Sequence, residues 1–323
     1  MPISAVARSV NHTFACDVRR GLAQTGQKFL PCKYLYDKLG SALFEAIGDL
    51  PEYGLTRADE RLLRRYSAEI IDRLSGSLFV AELGSGTGRK TRWLLESLSH
   101  RQRALYYPIE ISASALARCE RELGDVDSLD VVGLEREYLD GLFEVAANRK
   151  RGHRLLLLFL GSSIGNFAAP DATKFLSDIR DMLRPSDALL LGTDLEKPAS
   201  QLIKAYDDEL GVTAAFNLNV LARINRELDG DFDLTQFAHE ARVSRDGRSV
   251  EMHIRSERPQ TVHIPGAAGM VACFAAGETI WTETSHKYRA EDVFRMARDS
   301  GFRYEASWID EEWLFSENLF IAE

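Results

Sequence analysis

At 323 residues, with 45% apolar and 28% charged side chains, the chain has the composition of an ordinary folded protein and room for two domains. A net charge of −9 argues against a nucleic-acid backbone as partner, because such binding rests on clustered Lys and Arg, and the longest apolar run, Leu155 to Leu160, is far too short for a bilayer. Cys16, Cys32, Cys119 and Cys273 lie far apart without a C-x-x-C, and Met1 to Thr13 lack the apolar core of a secretory leader, so a cytoplasmic enzyme or binding protein without a metal site is expected.

From about residue 57 helix and strand alternate. Thr56 can cap a helix whose apolar positions Leu62, Leu63, Tyr66, Ile70 and Leu74 follow a period near 3.6, with Gly76 ending it. Strands are predicted at Leu78–Leu83, Ala104–Ile109, Leu129–Val132, Leu155–Leu160 and Ala188–Leu191. Near-continuous apolar strands of this kind occur where helices cover both sheet faces, which makes this a doubly wound α/β domain with ligands at the C-terminal strand ends. After about residue 196 the alternation breaks. Helical patterns near Ala199–Glu209 and Thr213–Glu227 lead into two strands that look antiparallel to each other, Ser249–Ser256 and Gln260–Ile264. Two further extended segments flank the Ala275-Ala276-Gly277 turn. A helix at Ala290–Asp299 and strands around Phe302–Trp308 and Glu317–Ile321 then complete the sheet. The expected organisation is a sheet domain of residues 59–196 plus 286–323, into which a second lobe, 1–58 plus 197–285, is inserted.

The run Phe79-Val80-Ala81-Glu82-Leu83-Gly84-Ser85-Gly86-Thr87-Gly88-Arg89-Lys90-Thr91 carries the most information. A dinucleotide fingerprint and a P-loop each require Gly where Arg89 stands. An acid followed by G-x-G-x-G resembles motif I of S-adenosylmethionine-dependent methyltransferases instead. The second strand ends in Glu110, about 26 residues after Gly84, where a carboxylate can accept both ribose hydroxyls of an adenosyl group. The fourth strand runs into Gly161-Ser162-Ser163-Ile164-Gly165-Asn166-Phe167. Asn166 offers a donor and an acceptor at the strand end where methyl transfer is expected, which suits a zwitterionic amino acid. The Asp/Asn-Pro-Pro-aromatic signature of nucleic-acid amino-methyltransferases is absent, and a small substrate follows.

Together the segments Lys33–Asp37, Leu50–Tyr53, Glu82–Gly86, Phe159–Asn166, Leu191–Leu195, Ala205–Asp208, Gly211–Asn217, Asn225–Leu228 and Thr282–Ser285 resemble the L-histidine Nα-methyltransferases of ergothioneine biosynthesis, over nearly the whole chain. The resemblance implies an α/β fold: a Rossmann-like class I methyltransferase domain with an inserted α+β substrate-binding lobe. It implies S-adenosyl-L-methionine as cofactor, leaving as S-adenosylhomocysteine, held by Gly84, Gly86, Gly88, Lys90 and Glu110 with Tyr36 closing near the sulfonium. It places Asn166 and Tyr206 on the substrate carboxylate and Gly161 near the amine. Tyr53, Glu283 and Ser285 address the imidazole, Met252 packs against the ring, and Tyr36 and Asn166 orient the amine for transfer. A Glu-x-Ser pair on a strand puts both side chains on one face, which suits two imidazole nitrogens.

Two positions depart from the family pattern. An Asp-aromatic pair common after the third strand is replaced by Gly133-Leu134-Glu135, so either Glu135, one position later, or backbone groups are expected to take the adenine amino group. Gly54 stands where a bulkier residue is usual, which is expected to loosen that loop. The implied activity is three successive methylations of histidine by a monomer acting on a small molecule, with neither nucleic acid nor membrane as partner. An Nα-methyltransferase for tryptophan or tyrosine is the alternative, and Glu283 argues against it.

Overall fold

The structure, a computed structural model, describes residues 3–149 and 152–323. Of the N-terminal stretch read for a leader, Met1 and Pro2 lie outside the described residues. The chain divides into two units, one of Gly54–Lys197 with Ser285–Glu323, the other of the residues up to Tyr53 with Pro198–Thr284.

The first unit is built on an eight-stranded sheet. Its spatial order is Phe302–Asp310, Phe315–Ala322, Ala188–Asp194, His153–Phe159, Ser77–Leu83, Ala104–Glu110 and Leu129–Val131, with Leu134–Glu135 also pairing to Ala104–Glu110. The strands from Ser77 to Asp194 run parallel, whereas Phe315–Ala322 and Phe302–Asp310 are antiparallel. Strand order reverses beside Ser77–Leu83, which has Ala104–Glu110 on one side and His153–Phe159 on the other. That switch point opens a crevice at the C-terminal strand ends. Leu155 to Leu158 and Leu189 to Leu191 are fully buried, each such side chain contributing roughly 1.5–3 kcal/mol relative to exposure.

Several expectations need correction. The helix Leu55–Asp72 has Gly54, not Thr56, at its cap position, and no side chain bonds there. It ends before Gly76, which turns the chain into the strand with φ +88°. Gly54 does not loosen its surroundings: a Cβ there would lie 2.2 Å from the Trp313 ring, so the indole occupies the space a side chain would need.

The second unit has a four-stranded sheet in the order Lys28–Phe29, Thr279–His286, Ser249–Ser256, Phe237–Val243. Helices Lys38–Asp49, Ala199–Tyr206 and Val212–Leu228 belong to the same unit. Ser249–Ser256 does not pair with Gln260–Ile264 as expected. It pairs antiparallel with Phe237–Val243, while Gln260–Ile264 joins Met270–Phe274 in a separate ribbon. The segments flanking Ala275–Gly277 thus belong to different sheets.

Candidate active site

In the sheet unit, strand Ser77–Leu83 delivers Glu82 and then the glycine turn. Gly84 N–H donates to the Ile109 carbonyl at 2.8 Å, which ties the turn to the next strand. The glycines do different things. At Gly88 a Cβ would lie 2.7 Å from Cys119 Sγ, so this glycine lets the loop pack down. Gly86, at φ +53°, has nothing within 4 Å of a built Cβ and presents bare backbone to open space, as a closely approaching ligand requires. The next helix, Arg92–Ser99, begins just after the loop.

Glu110 ends its strand with a carboxylate facing this loop. It accepts from Gly86 N at 3.3 Å through Oε2, and from Ile111 N at 2.8 Å and Ser112 N at 3.2 Å through Oε1. Burial raises its pKa above the ordinary carboxylate value, against the lowering by those three N–H groups. Glu135 is exposed and is the register partner of Glu110 on the adjoining short strand. Lys90 Nζ is salt-bridged to Asp59, a fully buried residue of helix Leu55–Asp72. Gly161 N donates to the same Asp59 oxygen at 2.9 Å. The loop lysine and the strand-end glycine therefore converge on an acid that the sequence reading left out.

The turn carrying Asn166 is a short 3-10 segment, Ser163–Asn166, entered through Ser162 in the left-handed region at φ 56°. Ser162 Oγ accepts from Asp194 N at 2.9 Å, and Tyr288 donates its hydroxyl to the Ile164 carbonyl at 3.1 Å. A Cβ on Gly165 would lie 2.9 Å from the His286 carbonyl, so the turn packs directly on the segment that carries Ser285. Lys287 Nζ bridges Ser285 Oγ and Asp194 Oδ2, each at 2.8 Å, and Lys197 Nζ reaches Asp194 Oδ1 at 2.5 Å. Burial pulls Lys197 down to about 8 against the attraction of Asp194, with Lys287 adding to the depression. Asn166 and Ser285 thus sit on segments fastened to the same strand end through Asp194.

In the other unit, Tyr36 donates to Glu283 Oε1 at 3.4 Å. The Tyr36 ring meets Phe44 and Phe216 edge-on, each at 5.4 Å. Asp37 caps helix Lys38–Asp49 through Gly40 N and accepts from Asn219 at 2.8 Å and Arg226 at 2.5 Å, fixing the backbone next to Tyr36. Burial, followed by the charge of Glu283, pushes the Cys32 thiol up to about 12.

Behind Glu283 lies a network centred on fully buried Asn217. Its Oδ1 accepts from Thr282 Oγ1 at 2.6 Å; its Nδ2 donates to the His253 carbonyl at 3.0 Å and to His239 Nδ1 at 2.8 Å. With Nδ1 accepting, His239 Nε2 donates to the Tyr206 carbonyl at 2.8 Å. Thr282 also donates to the Met252 carbonyl at 3.0 Å. Tyr206 meets Tyr53 edge-on at 5.9 Å, and both are buried, as is Met252. One amide thereby joins the backbones of Tyr206 and Met252 to the residue before Glu283.

Residues 14–322 match the family described as histidine-specific methyltransferase, SAM-dependent. The histidine N-alpha-methyltransferase of Mycolicibacterium smegmatis is 42% identical over 296 residues, covering 91% of this chain and 90% of that protein. The chain belongs to this histidine-specific methyltransferase family. The Mycobacterium tuberculosis histidine N-alpha-methyltransferase is likewise 42% identical, over 94% of this chain and 93% of its own length. Ergothioneine biosynthesis protein 1 of Neurospora crassa is 32% identical over 88% of this chain, which spans 32% of that longer protein.

For a methyltransferase of this family the cofactor is S-adenosylmethionine. The residues present fit it: Gly86 leaves the cradle open, Glu110 is an acceptor at the strand end, and Lys90 is a cation at the end of the loop. Among the described residues no cluster of His, Cys, Asp or Glu could hold a metal ion, and no helix is long and apolar enough to cross a membrane. Sequence reasoning missed Asp59, Asp194, Asn217, His239, Lys287 and Glu317. Asn217 closes the string Gly211–Asn217 and Asp194 lies within Leu191–Leu195, so both were within reach; the others are single polar residues in otherwise ordinary segments.

Proposed function

We propose that the chain methylates the α-nitrogen of L-histidine three times in succession, giving Nα,Nα,Nα-trimethylhistidine (hercynine) for ergothioneine biosynthesis. S-Adenosylmethionine supplies a methyl group already activated on a sulfonium, so the residues of the chain need to position a neutral amine rather than provide a strong acid. The observation that carries the reading is Glu283, a half-buried carboxylate braced by Tyr36 and by the Asn217 network behind Thr282. Such a group favours an imidazole N–H and penalises an apolar ring placed beside it.

The residue roles are proposals of the same kind. In the sheet unit Gly84, Gly86, Gly88, Lys90, Glu110 and Glu135 serve the cofactor, and Gly161, Asn166 and Ser285 serve the amino acid. In the other unit Tyr36 orients the amine, Tyr206 takes the carboxylate, and Tyr53, Met252 and Glu283 address the side chain. We place the enzyme in the cytoplasm as a monomer. The chain's net charge of −9 supports a small-molecule substrate over a nucleic acid.

Incubation with S-adenosylmethionine and each of the twenty amino acids, read by mass spectrometry, tests the reading. Products of one, two and three methyl additions on histidine are expected. Faster methylation of tryptophan or tyrosine, or no product from any amino acid, would overturn it.

A further inference from the structure

Three carboxyl groups, Asp59, Glu82 and Glu317, are fully buried together in the sheet unit, and Lys90 is a cation that acts on all three. Their hydrogen bonds are unevenly shared. Glu82 accepts from the Thr91 hydroxyl at 3.0 and 2.8 Å and from the Tyr106 hydroxyl. Asp59 receives Lys90 and the Gly161 N–H on one oxygen, Oδ2. The other Asp59 oxygen and both oxygens of Glu317 receive no donor from the protein. Glu317 lies within strand Phe315–Ala322, where its register partners are Gly192 and Trp308. A Cβ on Gly192 would come within 3.1 Å of Glu317 Oε1, so the glycine leaves the space that the carboxyl fills.

A charged carboxylate with no donor, sealed from water, is among the costliest groups a fold can hold. A Cβ on Gly192 would also lie 3.1 Å from the Gly161 nitrogen that donates to Asp59, which makes Glu317 and Asp59 neighbours, and two neighbouring carboxyls can hydrogen-bond only when one keeps its proton. We propose that Glu317 is a positioning residue: as a neutral acid it donates to the free oxygen of Asp59, and so fixes the carboxylate on which Lys90 and the Gly161 N–H converge. Asp59 then works as a clasp between the glycine loop and the strand-end turn, with Glu317 as its latch. The direction of titration agrees. Burial, then the charge of Asp59 and the hydrogen bond with it, raise Glu317 far above the ordinary carboxylate value; Lys90 opposes this and Glu82 adds to it. For Lys90, burial pulls downward and is outweighed by Asp59, so the cation is retained.

The kinetic part of the test rests on the roles proposed for Lys90 and Gly161; the other two parts do not depend on those roles. First, infrared difference spectra of the whole chain and of Glu317→Gln at neutral pH should show a carboxylic-acid C=O band present in the parent and missing in the variant. A parent without that band overturns the proposal. Second, unfolded Glu317 releases its proton near its ordinary value of 4.5 while the folded chain retains it. Stability of the parent relative to Glu317→Gln should therefore fall as pH rises from about 4.5 through neutrality. Parallel stability curves for the two would overturn the proposal. Third, Glu317→Ala should raise the KM for S-adenosylmethionine about fivefold or more, and Glu317→Gln, which still offers an N–H, should recover most of that loss. Equal losses in the two variants would count against it. If histidine is not methylated but the acid band is present, the functional reading fails and the latch stands.

Discussion

The interior of the sheet unit near its strand ends is crowded with charge: Asp59, Glu82, Lys90, Asp194, Lys197, Lys287 and Glu317 are all buried or nearly so. The interior of the other unit is polar in a different way. There an amide, an imidazole and a hydroxyl (Asn217, His239, Thr282) exchange hydrogen bonds with backbone carbonyls, and the carboxylate they lead to, Glu283, is only half-buried. Buried charges have to be balanced as a set, because removing one leaves its partners unpaired at low dielectric. A network of dipoles is more forgiving, since each bond contributes modestly and can be remade. Under the roles proposed above, the charged unit serves the constant cofactor and one end of the amino acid, and the dipolar one selects the side chain.

The largest effect expected from this contrast is on Asp194. Replacing it with Ala leaves Lys197 and Lys287 buried without their carboxylate, and denaturant unfolding should show a loss of about 3–5 kcal/mol. A loss below about 1 kcal/mol would break the comparison, because the charges would then not be interdependent. Next is Glu283→Ala, which removes a charged acceptor worth about 1.5–3 kcal/mol. Its kcat/KM for histidine should drop roughly ten- to a hundredfold, while calorimetry finds the cofactor Kd changed by no more than about threefold. An equal loss in both would mean that Glu283 does not select the side chain. The smallest effect is expected for Asn217→Ala, with about 1–2 kcal/mol off the stability and a raised histidine KM. A loss as large as that of Asp194→Ala would show that the dipolar network is as tightly balanced as the charged one.

What could be read from the chain follows from how local each signal is. The strand that ends in Glu82, the glycines after it and Glu110 one strand later announce themselves within a few dozen residues, and the parallel sheet follows from runs such as Leu155 to Leu160. Asp59 does not announce itself. In Thr56-Arg57-Ala58-Asp59-Glu60 it reads as a first-turn acid facing solvent, and its burial depends on Lys90 and Gly161, far along the chain. Glu317 is hidden for the same reason: the space for it is made by Gly192 on another strand. The pairing of Ser249–Ser256 was misread because adjacency in sequence usually implies adjacency in a sheet. Here the upstream strand Phe237–Val243, a weaker apolar pattern, takes that edge. Thr56 failed as a cap because Trp313 packs against Gly54 and the helix starts there.

Cys119, lying beneath Gly88, gives the glycine loop a chemical clock. Its thiol is buried, and burial with the charge of Glu82 pushes it up to about 12, whereas Cys16 and Cys273 are exposed. An alkylating reagent at neutral pH therefore modifies the two surface thiols at once; Cys32, also pushed up to about 12, reacts slowly, and Cys119 reacts only when the loop lifts. With Cys32 replaced by Ser, the slow phase of labelling times loop opening, and it slows when the loop is held down.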